Sequence, residues 1–338
     1  MTKKYNVAIL GATGVVGTQM RECLIEQDFP LGELKLLASA RSAGTVVDFN
    51  GVPVTIEEAR DEAVDGVDIV LGAAEDDIAK RFVPVAREKG CVVVDNSSAF
   101  RLDPDVPLVI PEVNPEDIAT HKGIIANPNC ATIIGLVAVN ALHKAATIKR
   151  MVVSTYQAAS GAGTPGLNEL ESQLKAIATD KPVPAPQAFA YQLAYNLIPQ
   201  IGGFDEVGYT SEEMKMQNEG RKILHEPNLG VNCTCVRVPI ERSHSESITL
   251  EFEGSLTPDQ AREILKDTPG VKLVDEPSVL KYPMPLDTTN QDLVYVGRIR
   301  EDISLPAGKG LVLWCAGDQI RKGAATNAVQ IAKLLTQE

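Results

Sequence analysis

Apolar positions in the first third of the chain fall into short, near-continuous runs separated by helix-length amphipathic stretches. Val7-Ala8-Ile9-Leu10, within a strand expected at 6–10, leads into a glycine-rich turn and a helix predicted over 16–27. Residues 34–38, 67–71 and 91–95 read as further strands, and 76–89 as a helix. Runs that are apolar throughout, without alternation, suit parallel strands covered on both faces. Strand–helix alternation of this kind predicts a doubly wound α/β domain.

The rhythm changes after Cys130. A long apolar helix is predicted over 131–144, then a strand at 151–157, a turn at Ser160-Gly161-Ala162-Gly163 and a helix over 166–179. Residues 181–203, rich in Pro, Gln and Tyr, read as an extended loop, followed by a helix over 212–224. Strands return at 231–239, 246–253, 271–274 and 292–299, which predicts an α+β block with a mostly antiparallel sheet. An amphipathic helix over 321–335 is expected to return to the first domain. The division predicted is 1–130 with 318–338 as one domain and 131–317 as the other.

Composition narrows the function. With 338 residues, 44% of them hydrophobic, the chain has ample material for two cores. Its net charge of −13, from 32 basic and 45 acidic residues, disfavours nucleic acid and anionic membrane surfaces as partners. No apolar run reaches the roughly 18 residues of a membrane span. Met1-Thr2-Lys3-Lys4-Tyr5-Asn6 runs straight into the first strand without a signal-like apolar region, so a cytoplasmic location is expected. Six cysteines stand at 23, 91, 130, 233, 235 and 315, with no Cys-x-x-Cys pair and no metal-ligand spacing. Cys233 and Cys235, two apart in a strand-like run, are expected on opposite faces. Reduced thiols packing as small hydrophobes are the default for most of the six.

Gly11-Ala12-Thr13-Gly14-Val15-Val16-Gly17 follows the first strand directly. Glycines at such a turn let the backbone approach a pyrophosphate, and the next helix offers free N–H groups and a positive dipole end. The spacing is G-x-x-G-x-x-G, and its position makes the first domain a Rossmann-like dinucleotide-binding candidate. The end of the second strand reads Ala38-Ser39-Ala40-Arg41-Ser42, without the acid that holds ribose hydroxyls in NAD binders. Arg41, with Ser39 and Ser42, is placed to hold a 2′-phosphate instead, which favours NADP.

Asn127-Pro128-Asn129-Cys130-Ala131-Thr132 opens the long apolar helix. Asn129 suits an N-cap, and a thiol in the first helical turn sits where the dipole lowers its pKa from about 8.5. A nucleophilic Cys130 is therefore expected, against the bland alternative of a buried structural cysteine. Of the four histidines, at 121, 143, 225 and 244, His143 lies too far along the helix. His244 sits in a polar turn between two strands, a position suited either to acid–base work or to a plain solvated side chain.

Taken together these motifs resemble the aspartate-semialdehyde dehydrogenases, in particular the form common in Gram-positive bacteria. The pieces that match are Gly11 to Gly17, Ser97-Ser98-Ala99-Phe100-Arg101, Asn127 to Cys130, Gln157 with Ser160 to Gly163, Glu212-Glu213-Met214-Lys215, Arg237 to His244 and Arg321 to Ala325. The resemblance implies Cys130 as nucleophile, His244 as acid–base catalyst and Gln157 as orienting residue. It implies that Arg237 pairs with a substrate carboxylate, Glu212 with its amino group, and Arg101 and Lys215 with phosphate, with Asn129 also in the substrate site. Gly11, Thr13, Gly14, Val15, Val16, Ser39, Arg41, Ser42, Ser160, Gly161 and Gln319 are implied as NADP contacts. Members of this type often read Asp-Asn-Leu-Arg-Lys-Gly where this chain has Asp318-Gln319-Ile320-Arg321-Lys322-Gly323, so the amide of Gln319 has a longer reach. The activity implied is NADP-dependent reductive dephosphorylation of 4-phospho-aspartate to aspartate 4-semialdehyde through a thioester, in biosynthesis of lysine, methionine, threonine and isoleucine. No metal is required, and a homodimer or tetramer is implied. The alternatives are an N-acetyl-glutamyl-phosphate reductase, a catalytically dead dinucleotide-binding sensor, or a cysteine hydrolase.

Overall fold

The computed structural model describes residues 3–337. Spatial proximity divides the chain into two compact units, Met1–Asn129 with Ala324–Glu338, and Cys130–Gly323.

In the first unit, β1 (Tyr5–Leu10), α1 (Val15–Glu26) and β2 (Leu31–Ala38) are followed by β3 (Val46–Phe49) and β4 (Val52–Glu58). β5 (Ile69–Gly72), α2 (Asp76–Glu88), β6 (Val92–Asp95) and β7 (Ile124–Ala126) complete it. The strands form one seven-stranded sheet in the order β3-β4-β2-β1-β5-β6-β7. Every pairing is parallel except the β3–β4 hairpin. β1 lies between β2 and β5, so the chain switches direction across the sheet at β1, where ligand crevices open in such folds. The hairpin, absent from the periodicity reading, turns at Asn50 (φ 53°) and Gly51 (φ 81°). Asn-Gly with both residues left-handed is the favoured two-residue hairpin turn. The core joins Ile9, Leu36, Leu71 and Val94 to Met20 and Leu24 of α1 and to Val329 and Ile331 of the C-terminal helix Thr326–Leu334. That helix does not start at 321 as the pattern suggests: Arg321–Ala325 form a π-helical turn first.

The second unit begins with α3 (Cys130–Ala146), β8 (Ile148–Gln157), α4 (Gly163–Ala178), α5 (Ser211–Ile223), β9 (Gly230–Arg237) and β10 (His244–Phe252). α6 (Pro258–Lys266), β11 (Val271–Leu273), β12 (Val294–Glu301) and β13 (Gly310–Gly317) follow. The six strands run in the order β11-β12-β13-β10-β8-β9. The sheet is mixed, with three antiparallel pairings flanked by parallel β11–β12 and β8–β9. β13 and α6 lie outside the predicted elements. β13 is a non-alternating apolar run, a pattern that periodicity alone does not assign to strand or helix.

Register organises one face of this sheet. Arg237 pairs with Gln157, Ser245 with Tyr156, and His244 with Gly317. Arg237, Gln157, His244 and Gly317 thus form a single rung across four strands. Behind it on the same face comes the rung Cys235, Thr155, Glu246, Cys315, then Cys233, Val153, Ile248, Leu313. Cys233 and Cys235 share this face, with sulfurs 3.7 Å apart. The expectation of opposite faces is overturned because strand side chains repeat every two residues. α3 packs on this face closely enough that a Cβ on Gly317 would lie 3.1 Å from Ile134, and one on Gly135 2.7 Å from Glu246 Oε2.

Candidate active site

The turn after β1 is shaped by close approach. Gly11 has φ 82°, and a Cβ there would lie 2.4 Å from the Ala73 carbonyl. A Cβ on Gly17 would lie 2.3 Å from the Gly11 carbonyl, so the third glycine seats α1 against the turn. Gly14 is the N-cap of α1 and provides no side-chain cap. The first-turn N–H groups, at Val15, Val16 and Gly17, therefore have no intrahelical partner and suit an anion. Thr13 and Gly14 are exposed, and Val15 and Val16 half-buried. Beside the turn is a cavity of about 200 Å³ lined by Gly11, Ser39, Glu58, Ile78 and Arg81 among others.

Arg41 and Ser39 are exposed in the turn after β2, where Ser42 N–H donates to the Ser39 carbonyl at 2.9 Å. The periodicity reading missed two of the cavity's charged groups. Glu58 arrives from β4, as the register partner of Ala38, and carries Arg60 at 2.7 Å. Arg81 projects from α2. In the same unit Arg101 is 8% exposed, donating from Nε to the Asn127 carbonyl at 3.0 Å and from Nη2 to the Asn96 carbonyl at 2.7 Å. Asn129 is buried.

In the second unit Cys130 is the first residue of α3 and is half-buried, whereas the other five cysteines are buried. Burial pushes the Cys91 and Cys315 thiols up, and contact with Cys235, then burial, does the same to Cys233. Buried thiols of this kind are inert, while a thiol opening a helix is placed to react.

The rung supplies the groups around it. Arg237 is 5% exposed and donates from Nη1 to the Ala158 carbonyl at 2.6 Å. Burial pulls its guanidinium below the usual range, while attraction to Glu212 and then to Cys130 acts the other way. Gln157 accepts from Thr155 Oγ1 at 2.9 Å and donates to Glu212 Oε1 at 3.1 Å. Glu212 stands in the first turn of α5, whose start is fixed by a capping box between Thr210 and Glu213. Lys215 holds Glu212 Oε2 at 2.9 Å. An exposed helical pair would be unremarkable, but the Glu212 side chain is 9% exposed and also bound to Gln157.

His244 is fully buried. Its Nδ1 accepts the Ala158 N–H at 3.1 Å, which assigns the proton of the neutral ring to Nε2. Burial first, then the positive charge of Arg237, pushes its pKa down to about 3, so the ring is neutral at ordinary pH. His244 Nε2 and Gln157 Nε2 are 3.4 Å apart, two N–H donors side by side. Two other histidines, His121 and His143, likewise accept a backbone N–H at Nδ1, from Gly123 and Ile148.

Two glycines bring backbone against these side chains. A Cβ on Gly161 would lie 2.6 Å from Arg237 Nη1 and 3.3 Å from His244 Nε2. A Cβ on Gly323 would lie 2.8 Å from Cys130 Cβ and 3.2 Å from Cys130 Cα. The strap carrying Gly323 is tied down at several points. Asp318 accepts from Arg242 Nε at 2.7 Å and from the N–H groups of Ile320 and Arg321 at 2.9 and 3.0 Å. Gln319 accepts the Ser243 N–H at 2.8 Å and donates to Ser160 Oγ, which donates to the Glu241 carbonyl. Cys130, Gln157, Ser160, Gly161, Glu212, Lys215, Arg237, His244 and Gln319 all belong to this unit. Gly323 was not anticipated; only its place after a basic pair in a matching motif marked it.

Residues 6–121 match the family model described as semialdehyde dehydrogenase, NAD binding domain, and residues 139–322 match semialdehyde dehydrogenase, dimerisation domain. An aspartate-semialdehyde dehydrogenase of Aquifex aeolicus (strain VF5) is 50% identical over 337 residues, covering 99% of this chain and 98% of that protein. That of Bacillus subtilis (strain 168) is 46% identical, covering 99% and 98%. The crystal structure of aspartate semialdehyde dehydrogenase II from Vibrio cholerae, complexed with ASA, matches at TM-score 0.96 and 44% identity over 100% of this chain and 99% of that one. With both family models matched in series, and relatives near half identical from end to end, the chain belongs to the aspartate-semialdehyde dehydrogenases.

Proposed function

We propose that the chain interconverts 4-phospho-aspartate and aspartate 4-semialdehyde with NADP, through a thioester on Cys130. The observation that carries this reading is the rung Arg237–Gln157–His244 beside the helix start that holds Cys130. When bound, the reduced cofactor NADPH would supply hydride in the biosynthetic direction, and its oxidised form NADP would accept hydride in reverse. We assign it to Gly11, Thr13, Gly14, Val15, Val16, Ser39, Arg41 and Ser42, with Ser160, Gly161 and Gln319. The glycine cradle and the uncapped start of α1 fit a pyrophosphate, and β2 ends without an acid of its own.

The chain's own groups do the following. The Cys130 thiolate attacks the acyl carbon, a C–S bond forms, and the C–O bond to phosphate breaks. Once the carbonyl carbon is reduced, the tetrahedral oxyanion needs donors. The neutral His244 ring offers Nε2–H, with the Gln157 amide 3.4 Å away, an arrangement suited to developing negative charge. Collapse breaks the C–S bond, releases the aldehyde and returns the thiolate. The Arg237 fork suits the substrate α-carboxylate, Glu212 its ammonium, with Asn129 in the substrate site, and Lys215 and Arg101 are assigned to phosphate.

The dimerisation-domain match supports a homodimer, and no helix among the described residues is long and apolar enough to cross a membrane. We assign the enzyme to the cytoplasm. Quenching the enzyme with acyl substrate and mapping the adduct by mass spectrometry tests the reading: the label is expected on Cys130. A label elsewhere, or phosphate-dependent NADP reduction surviving Cys130→Ala, would overturn it. Arg41→Ala is expected to weaken NADP far more than NAD, and equal loss for both would remove the 2′-phosphate assignment.

A further inference from the structure

Helix α4 carries two buried polar side chains one turn apart, and both grip the same loop. Glu169 Oε2 accepts the backbone N–H of Gln187 at 2.6 Å and of Ala188 at 2.5 Å. Gln173 Oε1 accepts the N–H groups of Leu193 and Ala194, each at 2.9 Å. Gln173 Nε2 donates to Glu169 Oε1 at 3.2 Å, so the two clamps brace each other. Glu169 is 8% exposed and Gln173 0%. Placing a carboxylate and an amide inside the protein costs desolvation, and here both are repaid by backbone donors of a segment without regular structure. Loops are ordinarily mobile; this one is pinned at two points, 187–188 and 193–194.

Between the pins stands Phe189. Its ring packs against the small core of Ala159, Leu170 and Leu193 and lies under the Arg237 guanidinium, 5.8 Å from Cζ to the ring centroid. Its tip comes so close to α4 that a Cβ on Gly166 would be 3.0 Å away. Phe189 and Arg237 also line a common cavity of about 280 Å³, with Ile198, Gln200 and Gly202. Arg237 is therefore fixed at one nitrogen by the Ala158 carbonyl and supported on one side by an aromatic ring. A guanidinium is weakly hydrated and stacks well on such a ring.

We propose that Phe189, pinned by Glu169 and Gln173, is a positioning residue for the carboxylate anchor. Its ring supports the guanidinium and holds the plane of the fork toward the cavity. This rests on Arg237 being the carboxylate ligand, as proposed above. The test is steady-state kinetics of the full enzyme in the phosphate-dependent direction, with melting temperatures measured alongside. Phe189→Leu keeps an apolar filler and removes the π face. It is expected to raise KM for the semialdehyde about tenfold, equivalent to about 1.4 kcal/mol, with kcat, KM for NADP and KM for phosphate each within about twofold. Glu169→Ala is expected to raise KM for the semialdehyde as well and to add little in the Phe189→Leu background.

Arg237→Lys is the companion variant. If it raises KM for the semialdehyde while Phe189→Leu does not, this inference falls and the carboxylate assignment stands. If Arg237→Lys leaves that KM unchanged, the assignment itself falls and takes this inference with it. A Phe189→Leu enzyme whose constants for all three substrates worsen together, with a lowered melting temperature, would reduce Phe189 to a packing residue and overturn the proposal.

Discussion

Replacing Gly323 by alanine tests whether backbone packing places the nucleophile. The added carbon would stand 2.8 Å from Cys130 Cβ, 3.2 Å from Cys130 Cα and 3.4 Å from Gln319 Cβ. Carbon pairs rest near 3.5–4.0 Å, so the closest contact must open by about 0.7 Å or more. Neither neighbour is the free end of a flexible side chain. The strap at 318–323 is tied to Arg242 and Ser243, and Cys130 is built into α3. The motion is shared between strap and helix start, and Sγ is one bond from the atom pushed. Reacting atoms must meet at about 3–3.5 Å, and a displacement of about 1 Å costs on the order of 100-fold. A loss of about 10- to 100-fold in kcat/KM is expected, or about 1.4–2.7 kcal/mol. Overpacking itself costs about 1–3 kcal/mol of stability, so the melting temperature is measured in parallel. The assay is phosphate-dependent oxidation of the semialdehyde, with the alkylation rate of Cys130 by iodoacetamide as a direct report on the thiol. Gly220→Ala is the control, since nothing lies within 4 Å of the carbon added there. A Gly323→Ala enzyme with parental kcat/KM and parental alkylation rate would refute the reasoning.

Three further outcomes follow from the geometry. Gly161→Ala drives a carbon to 2.6 Å from Arg237 Nη1 and 3.2 Å from His244 Cε1; KM for the semialdehyde should rise about tenfold or more, and an unchanged KM would show that the guanidinium yields freely. Glu246 is fully buried, neither carboxyl oxygen has a hydrogen-bond partner, and burial, then Cys235, raises its pKa well above the ordinary value. Its contribution to stability is thus fully present below about pH 4.3, its unfolded value, and is lost as pH rises toward the folded value. Glu246→Gln should therefore gain in melting temperature relative to the parent as pH goes from 5 to 8, and a pH-independent difference would contradict this. His244 has the opposite sign. Its pKa falls from about 6.5 unfolded to about 3 folded, so the neutral ring contributes stability above pH 6.5 that drains away as pH drops toward 3. Denaturant titrations of His244→Asn should show an acid limb shallower by about 1.4 kcal/mol per pH unit, and an identical limb would mean that the ring charges without penalty.

The α/β alternation and the motif order were legible because apolar runs, glycine turns and helix starts are local signals. The β3–β4 hairpin was also written locally, as Asn50-Gly51, but its strands are short and half-exposed and give no strong alternation. Non-local facts were not legible. That Arg237, Gln157 and His244 share one rung depends on register between strands far apart in sequence. So does the arrival of Glu58 beside Ala38. Gly323 against Cys130 is a contact between the two ends of one unit, invisible to any window along the chain. Phe189 fell in a segment read only as loop, and its clamps are side chains of a helix twenty residues upstream. Cys233 and Cys235, two residues apart in β9, share a face because strand side chains repeat every two residues.

Because the rung is assembled from β9, β8, β10 and β13, it does not come in fractions. An intermediate in which one pair has slipped by a single residue would turn its contributor toward the opposite side of the sheet. Return of turnover during refolding should therefore trail the recovery of helical signal, since pairings of such long separation form late. Catalysis in this chain is in effect an all-or-none gauge of whether its most distant segments have found one another.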